Sequence, residues 1–202
     1  LPSCVHLSSP PITDNAVITL RRLKNEALSL EQMSQAGWCN SEELMALKAS
    51  IRDKKNTLVL GNTGSGKTTL LNALLVETQD ERSVIIEDTS EILAANSISV
   101  KMLTRFDSQG LLPEITQSDL VKQSLRMRPD RLVIGEIRGG EAKDLLMALS
   151  TGHKGSMASI HAHSPSEALL RLDMLIQMGA PQRDLEAIRR RIHLSIDPLV
   201  VT

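Results

Sequence analysis

Between Gly61 and Thr69 the chain reads Gly-Asn-Thr-Gly-Ser-Gly-Lys-Thr-Thr, a fit to the phosphate-binding pattern G-x-x-x-x-G-K-[ST]. The chemistry follows from the residue types. Glycines let successive backbone N–H groups turn toward phosphate oxygens, and the N-terminus of a following helix adds partial positive charge. Lys67 then serves the β- and γ-phosphates, and the Thr68 hydroxyl serves Mg²⁺. Gly61, Asn62, Thr63, Gly64, Ser65, Gly66, Lys67, Thr68 and Thr69 are therefore the candidate nucleotide-binding residues, with ATP and Mg²⁺ the expected ligands.

Transfer of a phosphoryl group to water also needs a held metal, a positioned nucleophile and countercharge. Val84-Ile85-Ile86 runs into Glu87-Asp88, and Leu132-Val133-Ile134-Gly135 runs into Glu136. Ligands of open parallel sheets collect beyond the carboxyl ends of the strands, so both acidic sites are expected at the rim of the loop. Glu136, close to Gly135, Gly139 and Gly140, is the candidate for orienting the water. Glu87 and Asp88 take metal-holding or supporting roles, and Thr68, Glu87 and Glu136 form the expected Mg²⁺ set, the carboxylates acting through water.

His161 follows a buried run, Gly155 to Ile160, and so falls at the same sheet edge, where an imidazole can sense a terminal phosphate. His161 and His163 share a face of an extended segment, which admits a metal pair; no cysteine or third histidine stands near, and zinc is not favoured. Arg105, Arg126, Arg128 and Arg138 lie near these motifs. Arg21 and Arg22 end an earlier strand and are candidates to approach a triphosphate from an interdomain cleft, as arginines do in phosphoryl transfer.

Periodicity predicts the elements that position these groups. Strands are expected at 16–20, 57–60, 84–87, 131–135 and 156–160, and helices at 68–78, 118–127, 140–150 and 165–178. A further helix carries Arg189-Arg190-Arg191. Asn40 with Glu43, and Ser164 with Pro165 and Glu167, read as helix starts with capping boxes. Gly179-Ala180-Pro181 reads as a stop. Strand–helix alternation from residue 37 onward implies an α/β fold with a mostly parallel sheet covered on both faces. Residues 1–36 differ in pattern and are expected to be a separate segment.

Bulk properties narrow the function. The 202 residues are 41% hydrophobic and 23% charged, with a net charge of −1, so no overall field draws the chain to nucleic acid or an anionic membrane. Trp38 and Phe106 are the only aromatics, too few to stack the bases of a single strand, and direct nucleic-acid binding is not expected. Two cysteines cannot form a disulfide framework or a four-cysteine zinc site. No apolar run reaches membrane-spanning length, and a cytosolic location is expected. Leu1 and the strand-like Leu199-Val200-Val201-Thr202 suggest a piece of a longer polypeptide.

Four blocks in order carry a resemblance. After the loop at 61–69, Val84-Ile85-Ile86-Glu87-Asp88-Thr89-Ser90-Glu91 resembles the Asp box of the secretion ATPase superfamily. The run from Leu125 to Gly139, Leu-Arg-Met-Arg-Pro-Asp-Arg-Leu-Val-Ile-Gly-Glu-Ile-Arg-Gly, resembles its atypical Walker B motif. Thr151-Gly152-His153 through Ser159-Ile160-His161-Ala162 resembles its His box, and the likeness spans about residues 12–200. Leu-Arg-Met-Arg-Pro-Asp-Arg and Ser-Ile-His-Ala-His-Ser-Pro look most like the Tad/Flp pilus assembly ATPases, with the conjugative type IV secretion ATPases next.

The resemblance implies a RecA-like ATPase domain at 37–202 with its C-terminal end truncated, preceded at 1–36 by the end of an N-terminal domain and a linker. It implies a hexameric homo-oligomer, peripheral at the cytoplasmic side of the inner membrane, working against a pilus or secretion platform protein. By position Glu136 matches the catalytic glutamate, Glu87 and Asp88 the Asp-box acids, His161 the His-box residue, and Arg126 and Arg138 the motif arginines. A RecA-like nucleic-acid motor and a nucleotide-gated subunit that barely hydrolyses ATP remain as other readings.

Overall fold

The computed structural model describes residues 3–22, 25–107, 109–180 and 184–202. The chain alternates short apolar strands with helices, and six strands pair into one sheet, every pair parallel. These are β3 (Thr57–Gly61), β4 (Ser83–Glu87), β5 (Val100–Leu103), β6 (Arg131–Ile137), β7 (Met157–His161) and β8 (Leu199–Val201), in the order β5-β4-β6-β7-β3-β8. Two further strands, β1 (Ser3–Ser8) and β2 (Val17–Arg22), form an antiparallel hairpin apart from that sheet.

The period-2 pleat sorts the strands into two cores. Leu58, Leu60, Val84, Ile86, Leu132, Ile134, Ala158 and Ile160 face one way, against α4 (Gln117–Ser124), α5 (Glu141–Ser150), α6 (Pro165–Gly179) and α7 (Leu185–Ser195). Val59, Ile85, Val133 and Met157 face the other way, against α1 (Leu30–Gln35), α2 (Ser41–Arg52) and α3 (Lys67–Val76). Helix α3 is apolar nearly all round, with Leu70, Leu71, Leu74 and Leu75 fully buried. Such a helix needs cover on both sides. The sheet supplies one, and α1 and α2 supply the other.

Most expected elements recur with ends moved by one to three residues. The capping box of Asn40 and Glu43 forms as read. At Ser164 the cap accepts from the Glu167 N–H, but the Glu167 carboxylate reaches past the cap to accept from the His163 N–H. Pro181 of the expected stop lies outside the described residues. Three elements are additional to those expected. β1 pairs with β2; β5 follows β4 through a connection without a helix; α1 puts Leu30 and Met33 in the same cluster as Leu70 and Leu74. Helix α1 thus packs into the body of the sheet domain, although the sequence reading groups it with residues 1–36.

At the amino edge of the sheet, Arg131 is buried and anchors three segments. Its guanidinium donates to the Gly155 and Ile51 carbonyls and pairs with Glu81. Gly155 has φ of +76°, and a Cβ there would stand 2.6 Å from Arg131 Nη1, so both reasons require glycine. No helix among the described residues is long and apolar enough to cross a membrane.

Truncating the fully buried Leu30 to alanine should cost about 2–5 kcal/mol in urea unfolding. Leu20→Ala, on the exposed face of the hairpin, should stay within about 0.5 kcal/mol. Equal, small effects for both would show that α1 is not part of the packed body.

Candidate functional site

Parallel pairing delivers every strand's carboxyl end to one edge. Gly61 is level with His161, Ile86 with Ile134, and Ile137 with Ile160. Between Ile134 and Ile137 the register with β7 slips: β6 spends three residues where β7 spends two. This extra residue is a bulge at Gly135-Glu136, and such bulges re-aim side chains. The Ser159 hydroxyl donates to the displaced Gly135 carbonyl. A Cβ on Gly135 would meet Glu87 Cγ at 3.1 Å, so the glycine lets the Glu87 stem cross the bulge.

Beyond this edge lies an open cleft of about 590 Å³. It is lined by Thr63, Gly64, Gly66, Lys67, Thr68 and Thr69 of the loop, by the acids Glu87, Asp88 and Glu136, and by Arg138, His161 and Arg21. Gly64 and Gly66 adopt φ of +79° and +100°, the left-handed turns that coil the loop into α3. Gly61 and Asn62 do not line the cleft; their carbonyls accept from Lys67 Nζ at 2.8 Å each. Ser65 turns away to the Thr202 hydroxyl at 2.7 Å. Arg22 lines a smaller recess beside the cleft, together with Thr68, Thr69 and Asn72.

Arg126 is not brought to the cleft. It is exposed in the turn between α4 and β6, where its N–H bonds the Gln123 carbonyl, so it sits at the amino edge of the sheet. The neighbouring Met127 carbonyl accepts from Arg82, just before the start of β4, which fixes that placement. Arg105 folds onto the Pro113 carbonyl. His161 and His163 meet edge to face with ring centroids 5.9 Å apart.

The charged groups of the cleft hold one another. Arg138 donates from Nε to Glu136 Oε2 at 2.9 Å and reaches Asp88 at 3.5 Å, and the Glu136 carboxylate raises its pKa. Asp88 also accepts from Thr104 and Gln117. Arg21 reaches over from β2 to Glu91 at 2.8 Å. Partial burial lowers the pKa of the Lys67 ammonium; Glu136 counters this across the cleft, and Arg138 adds to it.

Glu87 is the strained member of the set. It is 4% exposed, and its Oε1 accepts the Glu91 and Ile92 N–H groups. Its Oε2 is buried without a hydrogen-bond partner, 3.7 Å from Lys101 Nζ. Burial raises its pKa, against the pull of the two N–H groups and the lysine.

The residues fit Mg²⁺ as a partner of phosphate. The available ligands are hard oxygens, from Thr68, Glu87, Asp88 and Glu136, and Glu87 offers an unused one. Among the described residues no three His, Cys, Asp or Glu side chains converge into a metal cage. Magnesium normally keeps waters and substrate phosphates as ligands, so a cage is not required.

Sequence reading missed Lys101, Thr104, Gln117, Ser159 and Arg171, which support or line the site from β5 and the residue after it, α4, β7 and α6. Only Ser159 carried a usable signal, its place in the run before His161. The others belong to elements whose facing side no short pattern announces.

The raised Glu87 value has a defined sign. The folded state binds the proton more tightly than the unfolded chain, so stability falls as pH rises from the ordinary carboxyl range through the raised one. Glu87→Gln keeps the acceptor for both N–H groups and removes the buried charge. It should raise Tm at pH 7.5 by about 2–4 °C, which is what 1 kcal/mol is worth in a domain of this size. The advantage should vanish in acid scans; a lower Tm at pH 7.5 would contradict this account.

Comparison with known proteins agrees with the geometry. The family described as Type II/IV secretion system protein matches residues 4–196. A Mycobacterium tuberculosis protein named for conjugal transfer is 38% identical over 181 residues, covering 89% of this chain and 51% of that protein. The conjugal transfer protein TrbB of Rhizobium radiobacter is 34% identical, covering 93% of this chain and 57% of its own length. The crystal structure of the VirB11 ATPase of the Brucella suis type IV secretion system, in complex with sulphate, superposes with a TM-score of 0.69 at 29% identity, covering 98% of this chain and 65% of that one. The chain spans about half the length of the curated relatives it matches. With its parallel six-stranded sheet, phosphate-type loop and acidic strand ends, the chain belongs to the type II/IV secretion system protein family.

Proposed function

We infer that the chain is the ATP-binding and hydrolysing part of a secretion motor, most like those of conjugative type IV secretion. The observation that carries this reading is the bulge at Gly135-Glu136, which turns a carboxylate into the same cleft as Lys67. β7 lies between β3 and β6, so the two backbones are two strand spacings apart, about 10 Å. That gap suits a terminal phosphate and one water between loop and glutamate.

In this reading the N–H groups of the loop and Lys67 hold the phosphates. Lys67 trades its bonds to the Gly61 and Asn62 carbonyls for phosphate oxygens of greater charge. Glu136 orients the attacking water and takes its proton, with Arg138 fixing its direction. Thr68, Glu87 and Asp88 are the groups that would hold Mg²⁺, directly or through water; when bound, it neutralises charge on the phosphate oxygens. His161, level with Gly61, stands where it can sense the terminal phosphate. Arg21 brings the hairpin to the rim of the cleft through Glu91, a route for hairpin position to follow nucleotide state.

The conjugal-transfer and type IV secretion names of the relatives favour conjugation over Tad/Flp pilus assembly. The resemblance to secretion ATPases further implies a homo-oligomeric ring, a hexamer, at the cytoplasmic side of the inner membrane against a platform protein. The Arg138–Glu136 pair favours one second reading, a subunit that binds nucleotide but turns it over little, because the general base is engaged.

Turnover separates the two. Glu136→Gln should lower kcat at least 100-fold while ATP affinity stays within about 3-fold. Lys67→Ala should weaken ATP binding by about 10-fold or more. Unchanged ATP affinity in Lys67→Ala would remove the loop assignment, and wild-type turnover in Glu136→Gln would remove the motor reading.

A further inference from the structure

Three arginine side chains line the cleft, and two of them are engaged. Arg21 pairs with Glu91, and Arg138 holds Glu136 and Asp88. The third, Arg171, belongs to none of the sequence motifs. It sits on the second turn of α6, the helix that starts directly after β7 and so overhangs the carboxyl edge of the sheet.

Arg171 is partly buried, and among the described residues no carboxylate or carbonyl engages its guanidinium. Its Nε is buried without a hydrogen-bond partner. Of the acids along α6, Asp173 pairs with Arg189 at 3.0 Å, and Glu167, one turn back on the same face, accepts from the His163 N–H instead. Residues two apart on a helix do not face each other, so Asp173 offers no local escape. An unpaired buried donor is a standing cost that a bound acceptor removes, and a guanidinium prefers a forked oxygen acceptor such as phosphate.

Its place in the cleft indicates which phosphate. The loop N–H groups and Lys67 approach from the end of β3. Arg171 comes from α6, which packs on the sheet face opposite α3, and it lines the same cleft as Gly135, Glu136, Ser159 and His161. In the reading above, the terminal phosphate is the group of a loop-bound nucleotide that faces Glu136 and the Arg171 side of the cleft.

We propose that Arg171 donates to the terminal phosphoryl group of the bound nucleoside triphosphate and lets the site distinguish triphosphate from diphosphate. This rests on the nucleotide-binding reading above. Arg171 is then a binding residue for the γ-phosphate, and its charge helps the oxygens that accumulate charge during transfer.

The test is equilibrium binding of a non-hydrolysable ATP analogue and of ADP, each with Mg²⁺, to the wild type, Arg171→Gln and Arg171→Lys. Arg171→Gln should weaken the analogue about 10-fold or more and ADP less than about 2-fold, with Arg171→Lys in between because it keeps charge but loses the fork. Should the glutamine variant fail to fold, the lysine variant carries the test, with a loss of about 3-fold expected for the analogue alone. Equal weakening of both nucleotides would mean a structural role, and no weakening would mean no contact; either overturns the proposal. Lys67→Ala measured alongside keeps the two readings apart. If Lys67→Ala loses both nucleotides while Arg171→Gln shows no preference, only the Arg171 assignment fails; if Lys67→Ala loses neither, the nucleotide reading fails with it.

Discussion

The parallel pairing of β3 with β7, and of β7 with β6, is the constraint on which the site depends. Together with the parallel pairing of β6 and β4, it puts the loop, His161, Glu136 and Glu87 on one edge, each at or next to the end of its own strand. Side chains from four strands thereby converge without any being close in sequence. A single antiparallel strand among them would send one member to the far edge, where Arg126 lies. The site is thus a property of sheet topology before it is a property of individual residues. Inserting β7 between the loop strand and the glutamate strand then sets how much room lies between them.

The cleft is charged on both signs, and the charges compensate one another. Lys67 uses its own loop's carbonyls, Arg138 uses Glu136, and Arg21 uses Glu91. These bonds are largely exposed to water and individually weak, so a phosphate with its full charge can displace them. Among the described residues, Glu87 Oε2, Gln117 Oε1 and Arg171 Nε are buried without a partner in the cleft lining, and Ser83 Oγ and Asp173 Oδ1 are so outside it. Three of these five atoms line the cleft, where a bound ligand can supply the missing partner.

Much of this was legible in the residues. The apolar runs at β3, β4, β6 and β7 are buried on both faces, and such strands read clearly between glycines and polar ends. The loop and the acids at the carboxyl ends of β4 and β6 follow from local pattern. Less was legible where structure depends on distant partners. β5 is a four-residue edge strand interrupted by Lys101, too short for periodicity to register. α1 has six residues; the capping box of Ser29 and Gln32 marks its start, and its contact with the largely apolar α3 holds it in place. The bulge at Gly135 needs two strands to exist, so a single strand's sequence cannot display it. For Arg126, membership of a motif said nothing about which end of β6 the residue would occupy.

The most direct test of the central claim is a crystal structure with Mg²⁺ and a non-hydrolysable ATP analogue. The account predicts a γ-phosphate within hydrogen-bond reach of Lys67 Nζ, and a water between that phosphate and the Glu136 carboxylate. A nucleotide bound elsewhere, or a Glu136 side chain pointing out of the cleft with the loop occupied, would contradict it.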